Sequence, residues 1–401
     1  MNLEYKITQF YDILNDEVEK IRLLNNQLVS VFNNYNYLQL KTSTIRDKDY
    51  LKGTMVHFSK MFEVRRVKEN SLFYLQSDLA MSMAEYVSRV DFPGFLKLIQ
   101  LGTLFRDRID KKPNYRREFQ QILSSIWGSS DLYYDAELIY LNYEFLDSLN
   151  LFKNIYIEIS NINIFNCIDD KLAEKIRFGN GITELENVPL SKQDKDLFVK
   201  YYNKNILNLQ DIEYMFNYIQ NEQIKEQLGL YLQVYNGLKL FFKKDFPIVF
   251  SIHNLEGSGH YSGLHYRIYC DDVLVADGGR IDELCTRFDK NKTIPAICMG
   301  IGVQMLLGGD KGNENRCVIL TTDEFYLKNK DKILKIQDLL LKNDFKSNFI
   351  HKKRKNWSKI FKSPIYQDFS YLILDDNLVE IRNLEDERKK ELILNLVKKT
   401  I

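Results

Sequence analysis

Cysteine is scarce and scattered. The five residues Cys167, Cys270, Cys285, Cys298 and Cys317 include no C-x-x-C pair. That spacing argues against a zinc site or a disulfide framework and favours buried free thiols in a reducing compartment. Charge of one sign is lacking too. With 56 Lys and Arg against 55 Asp and Glu, the formal net charge is +1, so no global field draws the chain to nucleic acid or membrane. Long apolar runs are missing: Leu228–Phe242 is interrupted by Gln, Asn and Lys and is too short to span a bilayer. The opening MNLEYKITQFYDILNDEVEK carries acids early and no apolar core, which is unlike a secretory signal. A soluble, cytoplasmic protein is expected. There is no internal repeat.

What is present suits a folded chain. Of 401 residues, 45% are hydrophobic, enough for a sizeable core, and the length implies two or three folding units. Ile13, Val18, Ile21, Leu24, Leu28 and Val31/Phe32 recur at helical spacing over residues 11–35. YLQLKTSTI reads as a strand, residues 54–64 and 71–77 as further strands, and Asp78–Arg89 as a helix. Leu96–Arg106 and Glu118–Gly128 read as two strands around the polar tip DRIDKKPNYRR. A helix over Asp135–Leu149 and a strand over Ile155–Ile162 follow. Residues 167–245 turn Lys/Asn/Gln-rich with helical spacing, a helical insertion. Strands return in FPIVFSIH, GLHYRIYCDD and VLVADGG, and after Pro295 AICMGIGVQMLL reads as a strand running into a helix. GGDKGNENR marks a linker, and residues 317–401 alternate strands and helices as a small α/β domain.

The stretch EGSGHYSG at 256–263 raises the question of a phosphate loop. A dinucleotide-binding turn needs G-x-G-x-x-G between a strand and a helix. Here the spacing is G-x-G-x-x-x-G, and LHYRIYCDDVLVADGG after it alternates like a strand. That reading fails on context.

The order of segments carries more information. LGTLFRDRIDKKPNYRREFQQI, YDAELI, HYSGLHYRIY, ADGGRIDEL and IPAICMGIGVQML, taken together, resemble the histidyl-tRNA synthetase-like class II core. Histidyl-tRNA synthetases and the regulatory subunits of ATP phosphoribosyltransferase share it. The resemblance covers most of residues 1–308. It implies an α+β fold: an antiparallel class II sheet flanked by helices, with the helical insertion at about 167–245, a linker at 309–316 and an anticodon-binding-like α/β domain at 317–401.

The same resemblance implies a site. Its motif-2 arginine matches Arg106, while the acid two residues on is replaced by Arg108. The carboxylate that contacts the amino-acid ammonium matches Asp78, in an S-D-L form closer to the regulatory subunits. Gln121 matches the motif-2 glutamine, and Tyr261 and Ser262 match the Tyr-Thr of Y-Y-T-G. Three positions depart from the pattern. The second carboxylate falls on Ser125, the arginine of R-G-L-D-Y-Y-T-G on Glu256, and the motif-3 arginine on Met305. A cation ~4 Å from a phosphate charge contributes about 4 kcal/mol at an effective dielectric of 20, and an anion there costs as much. Adenylate formation is therefore not expected.

The function so implied is a non-catalytic regulatory subunit of ATP phosphoribosyltransferase in histidine biosynthesis, with no cofactor and no metal. It would work as a homodimer within a hetero-oligomer containing the short-form catalytic subunit, with histidine as the pocket's ligand. Two alternatives stay open: a divergent histidyl-tRNA synthetase, and a synthetase-like RNA-binding protein whose KKPNYRR loop (111–117) offers four cations and a tyrosine to phosphates. Read singly, Arg106 also suits a surface ion pair, Tyr261 and Ser262 suit strand packing, GGRID suits a braced turn, and Asp135 and Glu137 suit helix N-terminal charges.

Overall fold

The computed structural model describes residues 13, 16–53, 56, 58–67, 71–107, 116–204, 206–242, 246–255, 261–307, 316–343, 345–353, 356–363, 366, 369–376, 378–384 and 386–400. The chain forms two compact units, Met1–Gly309 and Asp310–Ile401.

The first unit holds strands β1 (Leu38–Gln39), β2 (Ile45–Arg46), β3 (Glu63–Arg65), β4 (Leu72–Leu75), β5 (Leu96–Phe105), β6 (Glu118–Trp127), β7 (Ile155–Asn161), β8 (Ile248–Ser251), β9 (Leu264–Cys270), β10 (Val273–Arg280) and β11 (Ala296–Gly302). Eight of them make one sheet in the order β1-β5-β6-β11-β10-β9-β7-β8. Only the edge pairs β1/β5 and β7/β8 are parallel. β2, β4 and β3 form a separate small antiparallel sheet. The turn from β9 to β10 has two residues, Asp271 (φ 48°) and Asp272 (φ 63°). Both are left-handed, as a tight twisted hairpin needs, and Asp is among the residues that tolerate this. Asp271 adds a hold of its own, accepting from the backbone N–H groups of Lys153 (3.1 Å) and Asn154 (2.9 Å).

The sheet separates two cores. On one side, the helices Asp16–Asn33 and Leu132–Ser148 bury Leu24, Leu28, Phe32, Ile139 and Phe145. The helices Leu172–Phe178, Lys192–Tyr202, Leu209–Tyr218 and Glu222–Phe241 add Phe198, Ile212, Met215, Leu228 and Tyr231 to that same core. The segment read as a helical insertion is thus helical and shares the apolar interior of the sheet. On the other side, the helix Leu79–Arg89 packs Leu79, Met83 and Val87 against Leu98, Leu123 and Trp127.

Some expected elements are shorter. YLQLKTSTI yields only β1 and β2, in different sheets. Between them Thr42 is buried and donates to Gln76 Oε1 at 2.6 Å while accepting from Gln100 Nε2 at 2.8 Å. This side-chain network replaces a continued ladder. Of residues 54–64, a single 3₁₀ turn (Phe58–Lys60) and the start of β3 are seen; residues 54, 55 and 57 lie outside the described residues. The first helix is described over Asp16–Asn33, residues 11, 12, 14 and 15 of its expected span lying outside the described residues, and Val18 is exposed instead of joining the core.

The second unit is a four-stranded sheet with order β13-β12-β14-β15, from β12 (Arg316–Thr322), β13 (Lys346–Lys352), β14 (Ser370–Asp375) and β15 (Leu378–Arg382). β12 pairs in parallel with β13 and β14, and β15 is antiparallel. The helices Asp323–Lys342 and Glu387–Thr400 bury Phe325, Ile333, Ile336, Ile393 and Val397 against one face. Residues 308–315 of the expected linker lie outside the described residues, and Arg316 already belongs to β12.

Candidate functional site

Side chains alternate across a strand, so the register decides which residues share a face. Gln121, Leu123 and Ser125 of β6 pair with Gly302, Gly300 and Cys298 of β11. Gly300 and Cys298 pair in turn with Asp277 and Gly279 of β10. These continue to Arg267 and His265 of β9, then to Glu158 and Ser160 of β7. All of them face the helix Leu79–Arg89 side. The floor they make is low because so much of it is glycine. A Cβ at Gly300 would come within 2.7 Å of Gln121 Nε2, one at Gly279 within 2.9 Å of the Tyr261 ring, and one at Gly102 within 2.7 Å of Leu79. Neighbouring side chains lie flat over the bare backbone.

Asp78 and Arg106 come together at one side of this floor. Asp78 is the N-cap of the helix Leu79–Arg89, and its Oδ1 accepts from the Met81 N–H at 3.1 Å. Its Oδ2 accepts from Arg106 Nη2 at 3.2 Å, and Arg106 Nε donates to the Ser77 carbonyl at 2.7 Å. The guanidinium lies over the Phe119 ring, 5.5 Å from its centroid. Tyr50 fixes the cap from below, donating to the Asp78 carbonyl and accepting from the Ser77 and Asp78 N–H groups. The pairing of Arg106 with Asp78 joins two residues that the sequence placed in separate roles.

Asp277 lies at the centre of the floor. Its Oδ1 is 2.8 Å from His265 Nε2 and accepts from Arg267 Nε at 3.0 Å, and its Oδ2 accepts from the Tyr261 hydroxyl at 3.1 Å. The Tyr261 ring stacks on His265, with centroids 4.5 Å apart. Burial, then the Asp277 charge, pushes the Tyr261 hydroxyl well above its ordinary range, so it stays a donor. Burial alone would raise the Asp277 carboxyl, but the hydrogen bonds and charges of His265 and Arg267 hold it below its ordinary range. Sequence reading passed over Asp277, His265 and Arg267. The alternation of HYRIY and VADGG already placed them on one face, yet nothing in it said that this face carries the site.

The remaining candidates divide. Ser262 turns away from the floor: its hydroxyl accepts from the Asp282 N–H at 3.0 Å, and its carbonyl accepts from Asn163 Nδ2 at 2.8 Å. Ser125 is buried, accepts from Trp127 Nε1 at 2.8 Å and donates to Met83 Sδ at 3.3 Å. No carboxylate replaces it on β6. Met305, in the helical turn Val303–Leu307, is 42% exposed. Its Cγ is 3.6 Å from where a Gly302 Cβ would sit, an apolar group beside the floor. Glu256, Arg108 and residues 111–115 of the basic loop lie outside the described residues.

Of the two acids read as helix N-terminal charges, Asp135 lies in the first turn of the helix Leu132–Ser148, and both it and Glu137 are buried. Asp135 accepts from the Arg280 guanidinium and from the Tyr266 hydroxyl (2.7 Å), and Glu137 is paired with Lys97 (2.6 Å). Arg280 therefore braces β10 against the helix Leu132–Ser148 as well as its own turn. The reason is tertiary: the helix start packs against the sheet, not into solvent.

A cavity of 520 Å³ opens among the described residues beside the floor and not on it. It shares Tyr261 and Ser262 with the candidate site and is otherwise walled by Asn163, Asn166, Gln227 and Thr286 among others. We place the site by the convergent polar groups of the floor, because volume alone carries no chemistry. Among the described residues no cluster of His, Cys, Asp and Glu suits a metal, and no helix is long and apolar enough to cross a membrane.

Comparison with known proteins agrees with this architecture. The histidyl-tRNA synthetase family profile matches residues 9–306. A histidine–tRNA ligase of Saccharolobus islandicus is 27% identical over 408 residues, covering 93% of this chain and 92% of its own length. That of Saccharolobus solfataricus is 26% identical, covering 97% of each. Among solved structures, an ATP phosphoribosyltransferase regulatory subunit/histidyl-tRNA synthetase from Bacillus halodurans C superposes with a TM-score of 0.71 at 18% identity, covering 94% of this chain and 100% of the other. A histidyl-tRNA synthetase from Nostoc sp. PCC 7120 gives 0.66 at 17%, covering 98% and 100%. With its eight-stranded, mainly antiparallel sheet and a profile match across most of the first unit, the chain belongs to the histidyl-tRNA synthetase family.

Proposed function

We propose that this chain is a non-catalytic member of the family that acts as the regulatory subunit of ATP phosphoribosyltransferase. One observation carries the reading: among the described residues, both arginines at the site floor are held by a carboxylate, Arg106 by Asp78 and Arg267 by Asp277. Adenylate formation needs cations free to meet the charge developing on phosphate. A cation there contributes about 4 kcal/mol at an effective dielectric of 20, which is about three powers of ten in rate. A cation already neutralised supplies much less. Met305, at the position of a third cation, supplies none. The ligand-facing groups Asp78, Gln121 and Tyr261 remain, which supports a pocket that senses a small molecule such as histidine. The partner in this reading is the short-form catalytic subunit, and the fold shared with the Bacillus halodurans C protein supports that choice.

A second reading, histidine–tRNA ligase, is favoured by the names of the relatives matched over 92% and 97% of their lengths. One pair of measurements separates the two. The regulatory reading expects no histidine-dependent ATP–pyrophosphate exchange, and co-elution with the short-form phosphoribosyltransferase of the same organism together with a rise in its turnover. Exchange that Arg106→Ala abolishes, with no complex formed, would establish the ligase.

A further inference from the structure

Ser125 leaves β6 without a second carboxylate, yet the floor still has one. Asp277 projects from β10 with its side chain 44% exposed, in register with Gly300. Gly300 carries no side chain, and the Gln121 amide lies over it, 2.7 Å from where a Cβ would be. Cross-strand Cβ positions are about 5 Å apart. The Gln121 amide, lying over Gly300, and the Asp277 carboxylate on the next strand therefore border the same part of the floor.

Both groups have hydrogen-bonding capacity to spare. An ionised carboxylate offers about four acceptor positions. Asp277 Oδ1 uses two, for His265 and Arg267, and Oδ2 uses one, for Tyr261. One position on Oδ2 is left. The Gln121 side chain, half-buried, has no hydrogen-bond partner among the described residues. A polar amide placed against backbone with nothing to bond is costly unless a ligand or water completes it. Three residues also fix the Asp277 carboxylate in place, so it meets a ligand without reorganising.

We propose that Asp277 is the specificity-determining anchor of this site, accepting a ligand N–H on this part of the floor, with Gln121 bonding the same ligand. The ligand class is a small molecule bearing an ammonium or imidazole N–H. Arg267 balances the Asp277 charge, so a neutral imidazole suits the position as well as a cation does. A ligand whose only polar group is a carboxylate is rejected, because it would set two acceptors face to face. The anchor rests on the reading of this floor as a retained ligand pocket. It does not depend on which protein partner the chain has.

The test is calorimetric titration of the full chain with L-histidine, histidinol, imidazole and acetate. At least one of the first three binds at millimolar concentration or below, and acetate does not. Asp277→Asn weakens that binding by about tenfold or more, the loss of one hydrogen bond to a charged acceptor. Gln121→Met, which removes no hydrogen bond within the described protein, weakens it severalfold with the unfolding temperature unchanged. If Asp277→Asn fails to fold, Gln121→Met decides alone: weaker binding supports the anchor and unchanged affinity overturns it. Binding that persists undiminished in both variants overturns the anchor and leaves the pocket standing. No binding of any N–H probe to the wild-type chain at about 10 mM overturns pocket and anchor together, while complex formation with the phosphoribosyltransferase still tests the regulatory reading separately.

Discussion

Arg280 of β10 holds both carboxylate oxygens of Asp135, in the helix Leu132–Ser148, through one edge of its guanidinium. Nε donates to Oδ1 at 2.9 Å and Nη2 donates to Oδ2, while Nη1 reaches the Ser129 carbonyl at 2.6 Å. Both side chains are buried. Removing one partner leaves the other charged in the interior, a loss of about 3–5 kcal/mol. Asp135→Ala is therefore expected to lower the unfolding free energy by that amount, and Arg280→Met, Asp135→Leu together by less than either single change. A double variant as unstable as the sum of the two, read by urea unfolding, would show that the residues act independently.

Asp78 has two separable tasks. Asp78→Asn keeps a side-chain oxygen for the Met81 N–H and loses only the pairing with Arg106, while Asp78→Ala loses both. The cap contributes about 0.5–2 kcal/mol, and the half-buried ion pair about 1 kcal/mol or less. Asparagine is expected to be nearly neutral for stability and alanine to cost about 1–2 kcal/mol more. Equal losses in thermal unfolding would remove the capping role.

The network around Asp277 gives stability a sign in pH. His265 and Arg267 hold the native carboxyl below its ordinary value of 3.8. A carboxyl depressed in the folded state contributes stability above its unfolded value, and that contribution is lost as pH falls through the folded value. The loss thus lies below pH 3.8. Asp277→Asn should be less stable than wild type at neutral pH, and the difference should shrink in that acid range. A constant difference from neutral pH down to strong acid would contradict this.

The glycines of β10 and β11 predict opposite outcomes for one added methyl. At Gly278 the new Cβ would sit 2.2 Å from the Cys298 carbonyl oxygen and 2.6 Å from the Met299 Cα. Backbone must move, so Gly278→Ala should destabilise by about 3 kcal/mol or more, at or beyond the upper end of ordinary overpacking. At Gly300 the close contact would be the end of the Gln121 side chain, at 2.7 Å, with Leu123 Cδ1 at an ordinary 3.6 Å. Gly300→Ala should leave the unfolding temperature nearly unchanged and displace the Gln121 amide, lowering ligand affinity. Differential scanning calorimetry on the two variants checks the contrast.

Much of the architecture was written in local pattern. The alternation in LHYRIYC and VLVADGG, the acid that caps LAMSMAEYVSR, and the helical spacing through residues 167–245 each report how a short segment buries one face, and such signals survive without tertiary context. The ordered motifs also located Asp78, Arg106, Gln121 and Tyr261 near one floor. What no window of residues held was partnership. Asp135 and Arg280 are 145 positions apart, Arg106 and Asp78 are 28 apart, and Asp277 gathers Tyr261, His265 and Arg267 only once β9 and β10 pair. A carboxylate at a helix start reads as a partner of the helix dipole, and only the fold supplies its buried cation. Folding also turned Ser262 toward a turn and Ser125 into the core, because the strand register, and not the residue type, decides which side chains share a face.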